Sequence, residues 1–350
     1  SWATFDGSTY TGWVGFNCST YQSWADFSAS TYQNGATFMS STYQSWADFS
    51  NSTCQSEVYF SDSTYKGKAD FSGSTYQNEV YFSYSTYQSE ADFSDSIYQD
   101  KADFSDSTYR GWADFRNSTY QGRAGFTDSI YQNEVYFSGS TYEDKANFSG
   151  SIFCGDVYYG KDRYNSNFSR FTECTPQFYN ENSHQNTLFG SPDNDFSVEN
   201  SEGCPILLTP DELPLDCRFL STAQKDYLGN TLRRLEETND EFLAAKNHEV
   251  EKELSEKLRS LTQELHDWRE KVTALPPNSP NNTGTPQQTK YMKRAEEEVP
   301  WFPAGGEAFS LLDDYRKNIN DHAKIYAVIK DILESHEHQI KILTEQTQQC

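Results

Sequence analysis

Side chains able to carry catalysis are sparse and poorly placed in this 350-residue chain. No histidine falls in residues 1–164, so that stretch offers neither an imidazole base nor an imidazole ligand, and the later histidines stand singly. The cysteines, Cys18, Cys54, Cys154, Cys174, Cys204, Cys217 and Cys350, are scattered without a C-x-x-C pair, which argues against both a metal cluster and a disulfide framework. There is no glycine-rich phosphate loop and no nucleophile elbow. An active site needs several polar groups converging on a pocket, so the expectation is a non-enzymatic protein without a cofactor or metal. What the spacing does offer is recognition. Trp24, Trp46 and Trp112 recur in one slot of a repeat that Lys68, Glu90 and Glu134 fill elsewhere. They are candidate protein-binding anchors, with stacking against a neighbouring strand as the alternative role.

The element that positions them is a phenylalanine period. Phe5, Phe16, Phe27 and their successors recur every 11 residues to Phe148, and a tyrosine follows five residues after each, replaced only by Cys54 and Phe153. With the Phe as position 0, position −2 is Ala or Val, +3 is Ser, and +4 is Thr or Ile. Side chains alternate along a strand, which puts −2 and 0 on one face. Gly, Asp and Asn at +2 mark a turn, so each 11-mer reads as strand, tight turn, strand. A helix would scatter the Phe and Tyr positions around its circumference. Trp at −3 and Asp at −1 (Asp26, Asp48, Asp70, Asp92, Asp114) fall on alternate repeats, which suggests a 22-residue super-repeat. The sign of charge at −3 also alternates along the chain (Glu57, Lys68, Glu79). Opposite charges favour adjacent strands, so successive 11-mers are expected to be direct neighbours. The Phe and Tyr ranks are expected to form the core, since a thin array has little else to bury.

A net charge of −24 and a pI near 4.5 argue against nucleic acid and anionic membrane, both of which require clustered Lys and Arg. Other proteins, basic or neutral, are the expected partners. No apolar run approaches 18 residues and no charged-then-apolar leader is visible, so neither a membrane span nor a signal peptide is expected. Sequons at Asn17, Asn51, Asn117, Asn147, Asn167 and Asn281 keep secretion open as the alternative to a cytoplasmic or cytoskeletal location.

Segments such as Phe104-Ser-Asp-Ser-Thr-Tyr-Arg-Gly-Trp112 resemble MORN repeats over residues 1–164. That resemblance implies a run of β-hairpins and a cytoskeletal, ciliary or membrane-proximal scaffolding role. Tyr-x-Gly occurs at Gly12, Gly67, Gly111 and Gly122, whereas most repeats carry Ser, Asn or Asp there. Ala-Asp-Phe-Ser-Gly at 69–73 also resembles a pentapeptide-repeat unit.

Beyond the array, residues 165–220 read as a linker or cap, with the apolar patch from Cys204 to Leu215 either docking on the last repeat or serving as a linear motif. The capping box Ser221-Thr-Ala-Gln224 opens a long helix over 221–275. Its seam falters near Lys246 and resumes through Leu258, Leu261, Leu265, Trp268 and Val272. A flexible connector with a short helix (276–306) and a last heptad helix (307–350) follow. The last seam runs Leu312, Ile319, His322, Ile329, Leu333, His336 and Ile340. The fold class is thus a β repeat array followed by long helices forming a coiled coil, paired within the chain or across a dimer. The function expected is an acidic scaffold with a coiled-coil oligomerisation or anchoring module. The alternative is a secreted surface-binding or adhesive protein for glycan or ice, suggested by the Thr rank at +4.

Overall fold

The computed structural model describes residues 2–274 apart from 164–166, 181–182, 200, 202 and 246. The connector 276–306, the helix 307–350 and the seam positions Leu312, Ile319, His322, Ile329, Leu333, His336 and Ile340 lie outside the described residues.

The array is a parallel β-solenoid of about seven turns with pentapeptide-like periodicity. Each 11-mer supplies two short strands, one at −2 and −1 and one at +4 and +5, so a 22-residue turn has four sides. Pairing is parallel and in register between turns: Ala3 lies beside Ala25, Thr9 beside Thr31, Val14 beside Ala36, and Thr20 beside Thr42. Four sheets result. Face A begins with Ala3–Thr4 and Ala25–Asp26, face B with Thr9–Tyr10 and Thr31–Tyr32, face C with Val14–Gly15 and Ala36–Thr37, and face D with Thr20–Tyr21 and Thr42–Tyr43.

This register corrects two expectations. The strands flanking each turn do not pair as hairpins, and successive 11-mers are not neighbours in a sheet. They occupy opposite sides of the same turn, and each residue contacts its counterpart 22 positions away. The reason lies in the corner at +2, where the backbone takes left-handed φ at Ala29, Ser40, Asn51, Asp62 and Tyr84 and at Gly7 and Gly73. That single left-handed residue turns the chain onto the next side instead of folding it back, and Gly and Asn tolerate the conformation best.

The interior is aromatic, as expected. Phe27 stacks on Phe49 at 5.0 Å, Phe38 on Phe60 at 5.1 Å, and the two columns meet edge to face, Phe27 against Phe38 at 5.1 Å and 76°. Tyr43 stacks on Tyr65 at 4.8 Å and meets Phe49 edge-on. Ala or Val at −2 is buried beside them. Serine at +3 carries the polar part of the interior. Ser30 N–H donates to Ser52 Oγ, and Ser52 Oγ donates to the Phe27 carbonyl at 3.3 Å. A hydroxyl at this slot therefore satisfies one donor and one acceptor that would otherwise be buried unpaired.

The described residues of 167–220 continue the coil irregularly. Arg170–Phe171 extends face B, while Leu188–Phe189 and Arg218–Phe219 extend face D. Phe171, Phe178 and Phe189 stack on Tyr142, Phe148 and Phe153. Ile206 and Leu213, from the proline-framed patch, join the same core. The segment closes the end of the coil, where parallel strands would otherwise present unpaired edges.

The helix expected over 221–275 is two helices, α1 (Thr222–Ala244) and α2 (His248–Thr273). The capping box at Ser221 and Gln224 is present, and Asn247 caps α2 through the Glu249 amide. The break falls where the apolar seam falters. The helices run antiparallel, with Tyr227 stacked on Trp268 at 5.2 Å and Arg234 beside Glu264. Leu228, Leu232 and Leu265 pack on Ile130, Ile152 and Leu188 of face D. The seam residues Leu261 and Leu265 are buried, and Leu258, Trp268 and Val272 are half-buried; the heptad pattern serves a short helical hairpin seated on the solenoid.

Phe82 is enclosed by Phe60, Phe104, Phe71 and Phe93, with ring centroids 4.9–5.1 Å away. Phe82→Ala is expected to cost about 3–5 kcal/mol, read as a fall in the chemical-denaturation midpoint. Gln99→Ala, exposed on face B, should leave the midpoint unchanged.

Candidate functional site

Because every turn stacks in register, each outward slot becomes a column along one face. On face A the −3 column runs Trp2, Trp24, Trp46, Lys68, Glu90, Trp112, Glu134, and the −1 column runs Thr4, Asp26, Asp48, Asp70, Asp92, Asp114, Tyr136. Trp24 and Trp46 are brought together, stacked at 5.1 Å and 5°, with Trp2 meeting Trp24 edge-on at 5.4 Å. Trp112 is not part of this group. It stands three turns beyond Trp46, past Lys68 and Glu90, with its ring edge-on to Tyr136. Trp46 is exposed while Trp24 and Trp112 are half-buried, and the Trp24 Nε1–H is buried without a hydrogen-bond partner. Stacked indoles cover each other's faces, so a partner meets ring edges along the column and a free ring face only at its ends.

The aspartates share a local geometry. Asp48 Oδ1 accepts from the Ser50 amide at 3.0 Å and from Ser50 Oγ at 2.7 Å, and Asp26, Asp70 and Asp92 do the same with Ser28, Ser72 and Ser94. The column is a row of like charges separated by one turn. Burial, more than the neighbouring carboxylates, pushes the carboxyls of Asp48 and Asp92 above the usual aspartate range. The chain supplies its own cations to the later rungs. Lys68 Nζ lies 3.2 Å from Asp70, 2.8 Å from Glu90 and 3.5 Å from Asp92, and Arg116 pairs with Asp114. Burial works against the Lys68 charge, but the hydrogen bond to Glu90 and the two aspartates outweigh it and raise its ammonium above the ordinary range. Asp26 and Asp48 have no ion pair among the described residues.

The other faces differ in kind. Face B shows Thr31, Thr53, Thr75, Thr119 and Ile97 beside exposed Gln33, Gln55, Gln77, Gln99 and Gln121. Face D is the seat of the helical hairpin, and two cations the repeat does not require hold it there. Arg110 pairs with Glu236 and donates to the Leu232 carbonyl, and Lys66 lies 2.6 Å from Asp240. At the corner between faces C and D, buried Arg269 reaches Asp106 at 3.3 Å and the Asp128 carbonyl. Sequence reasoning passed over Lys66 and Arg110. The signal was present, since they alone put a cation six residues after the Phe, in a slot otherwise mostly Gln.

Among the described residues no group of three or more His, Cys, Asp or Glu is arranged to hold a metal ion, and no helix is long and apolar enough to cross a membrane. No family model matches the chain, and comparison with curated proteins and solved structures gave no significant match.

A carboxyl whose folded pKa is raised contributes destabilisation when ionised, so stability increases as pH falls through that pKa and the group takes up its proton. Asp48→Asn keeps the oxygen that holds Ser50, as Asn147 does for Ser149 on face C, and removes the titration. The variant is expected to melt above the parent protein at pH 7, with the gap closing as pH falls toward about 4, the ordinary aspartate range. A gap that does not vary with pH between these limits would contradict the buried-charge account.

Proposed function

We propose that the chain is a non-enzymatic scaffold whose solenoid presents the first turns of face A to a basic segment of another protein. The observation that carries this reading is the contrast along one column. Asp70, Asp92 and Asp114 are matched by Lys68 and Arg116, whereas Asp26 and Asp48, beside the stacked Trp24 and Trp46, have no cation among the described residues. Lys68 illustrates what an incoming lysine or arginine would do, since it reaches Asp70, which is set as deeply as Asp48. The indoles add apolar contact and, at the free end of the stack, a cation–π surface. A rigid coil that holds such groups at fixed intervals suits display, because its columns do not rearrange when occupied. The hairpin on face D leaves face A open. The scaffolding role, a cytoskeletal setting and any assembly through residues 275–350 belong to this proposal, which does not depend on the hairpin architecture of MORN repeats.

The test is binding of a fluorescent Arg/Lys-rich peptide to the full chain, followed by anisotropy. Asp26→Asn with Asp48→Asn should weaken capture on the order of tenfold or more and flatten its salt dependence, the effect of removing two contacting charges. Trp24→Ala with Trp46→Ala should weaken it by a similar factor with less change in salt dependence. Equal capture by the parent and both variants, with melts showing them folded, would refute the assignment.

A further inference from the structure

Sorting the −3 residues by face changes their meaning. Read along the chain the signs alternate, but in the 22-residue register face C carries Trp13, Gly35, Glu57, Glu79, Lys101, Arg123 and Lys145 in one column. The acids are grouped toward one end and the bases toward the other, with the sign changing between Glu79 and Lys101. Within a single chain this arrangement is unfavourable, since like charges stacked on adjacent parallel strands repel. Internal partners answer it only in part. Tyr59 and Tyr81, stacked at 5.0 Å, donate to Glu57 and Glu79, and Lys101 pairs with Asp103 at 2.9 Å. Arg123 and Lys145 are exposed and have no ion pair among the described residues.

A column of this kind is complementary to itself reversed. We infer that face C is a docking surface for a second copy of this chain, lying antiparallel across a two-fold axis that crosses the column between Glu79 and Lys101. Rungs equally far from that axis then meet. Glu79 faces Lys101 of the other copy, Glu57 faces Arg123, and the Trp13 ring, which lies over Gly35 where a Cβ would collide with it, faces Lys145. Each contact occurs twice, as an isologous interface requires. The spacings match without coincidence because both columns belong to the same solenoid. Faces A and B give no such match: face A is anionic over most of its length, and face B is uncharged over its central turns. Against a net charge of −24 per chain, face C is where two copies can meet with opposite charges opposed.

The experiment is sedimentation equilibrium of the full chain near physiological ionic strength, where distant charges are screened but contacting pairs are not. The parent protein is expected to dimerise. Glu57→Arg alone and Arg123→Glu alone should each raise the dissociation constant on the order of tenfold or more, although the first makes the chain less negative and the second more negative. An equimolar mixture of the two variants should dimerise again, since each supplies the sign the other lacks, and so should the chain carrying both changes. Circular dichroism melts establish that each variant is folded, with the other facing pair, Glu79→Lys and Lys101→Glu, in place of Glu57→Arg and Arg123→Glu if either of those is not. A monomer at all concentrations overturns the proposal. So does a dimer indifferent to both single reversals, which would place self-association elsewhere, including residues 275–350, and so does a mixture no more associated than its components.

Discussion

The solenoid depends throughout on the in-register pairing of each residue with its counterpart one turn away. Hydrogen bonds between turns fix the rise, and the rings accept it because two flat aromatics stack comfortably at that separation, as Phe27 on Phe49 and Tyr43 on Tyr65 show. The constraint is indifferent to what it repeats. It stacks phenylalanine on phenylalanine to advantage, and it stacks aspartate on aspartate at a cost. The serine spine, the Asp–Ser clamps at the corners and the Lys68 bridge are the local answers to polar groups forced into columns.

The repeat itself was plain in the sequence because its period is strict, and the core was legible because Phe, Tyr and small −2 residues leave no other way to bury enough surface. The 22-residue turn was also announced by Trp24, Trp46 and the aspartates on alternate repeats. The neighbour relation was not. Charge signs alternating between Glu57, Lys68 and Glu79 suggested adjacent strands, whereas Lys68 pairs with Glu90, a full turn away. Nothing in an 11-residue motif states whether its turn reverses the chain or merely bends it. That depends on one left-handed residue at +2, and Asp, Asn and Gly suit a hairpin equally well.

The candidate site was half legible. Trp24 and Trp46 were picked out as residues the repeat does not need, and they do stand together. Trp112 shares their slot but not their company, because only the register shows which rungs lie between. The pairing of Asp26 with Asp48 beside the indoles, and the cations that serve the later rungs, required coordinates. Likewise the faltering seam near Lys246 marked where one helix becomes two, but only the outlying Lys66 and Arg110 could have hinted at where the hairpin rests. The irregularly spaced Phe171, Phe178 and Phe189 were unreadable as core, since the loops between them vary in length while the rings still find their columns.

The four-sided turn also sets how such a gene can change length. Gaining or losing 22 residues adds or removes one complete turn and leaves every column on its own face. Gaining or losing 11 preserves the Phe and Tyr spacing and would fold as well locally, yet everything downstream would be rotated by half a turn. The aspartate column would then continue on face C, the acid-to-base column on face A, and the seat of the hairpin on face B. Selection on any one face therefore acts on the parity of the repeat number, and duplications in whole turns are the changes that keep a surface continuous.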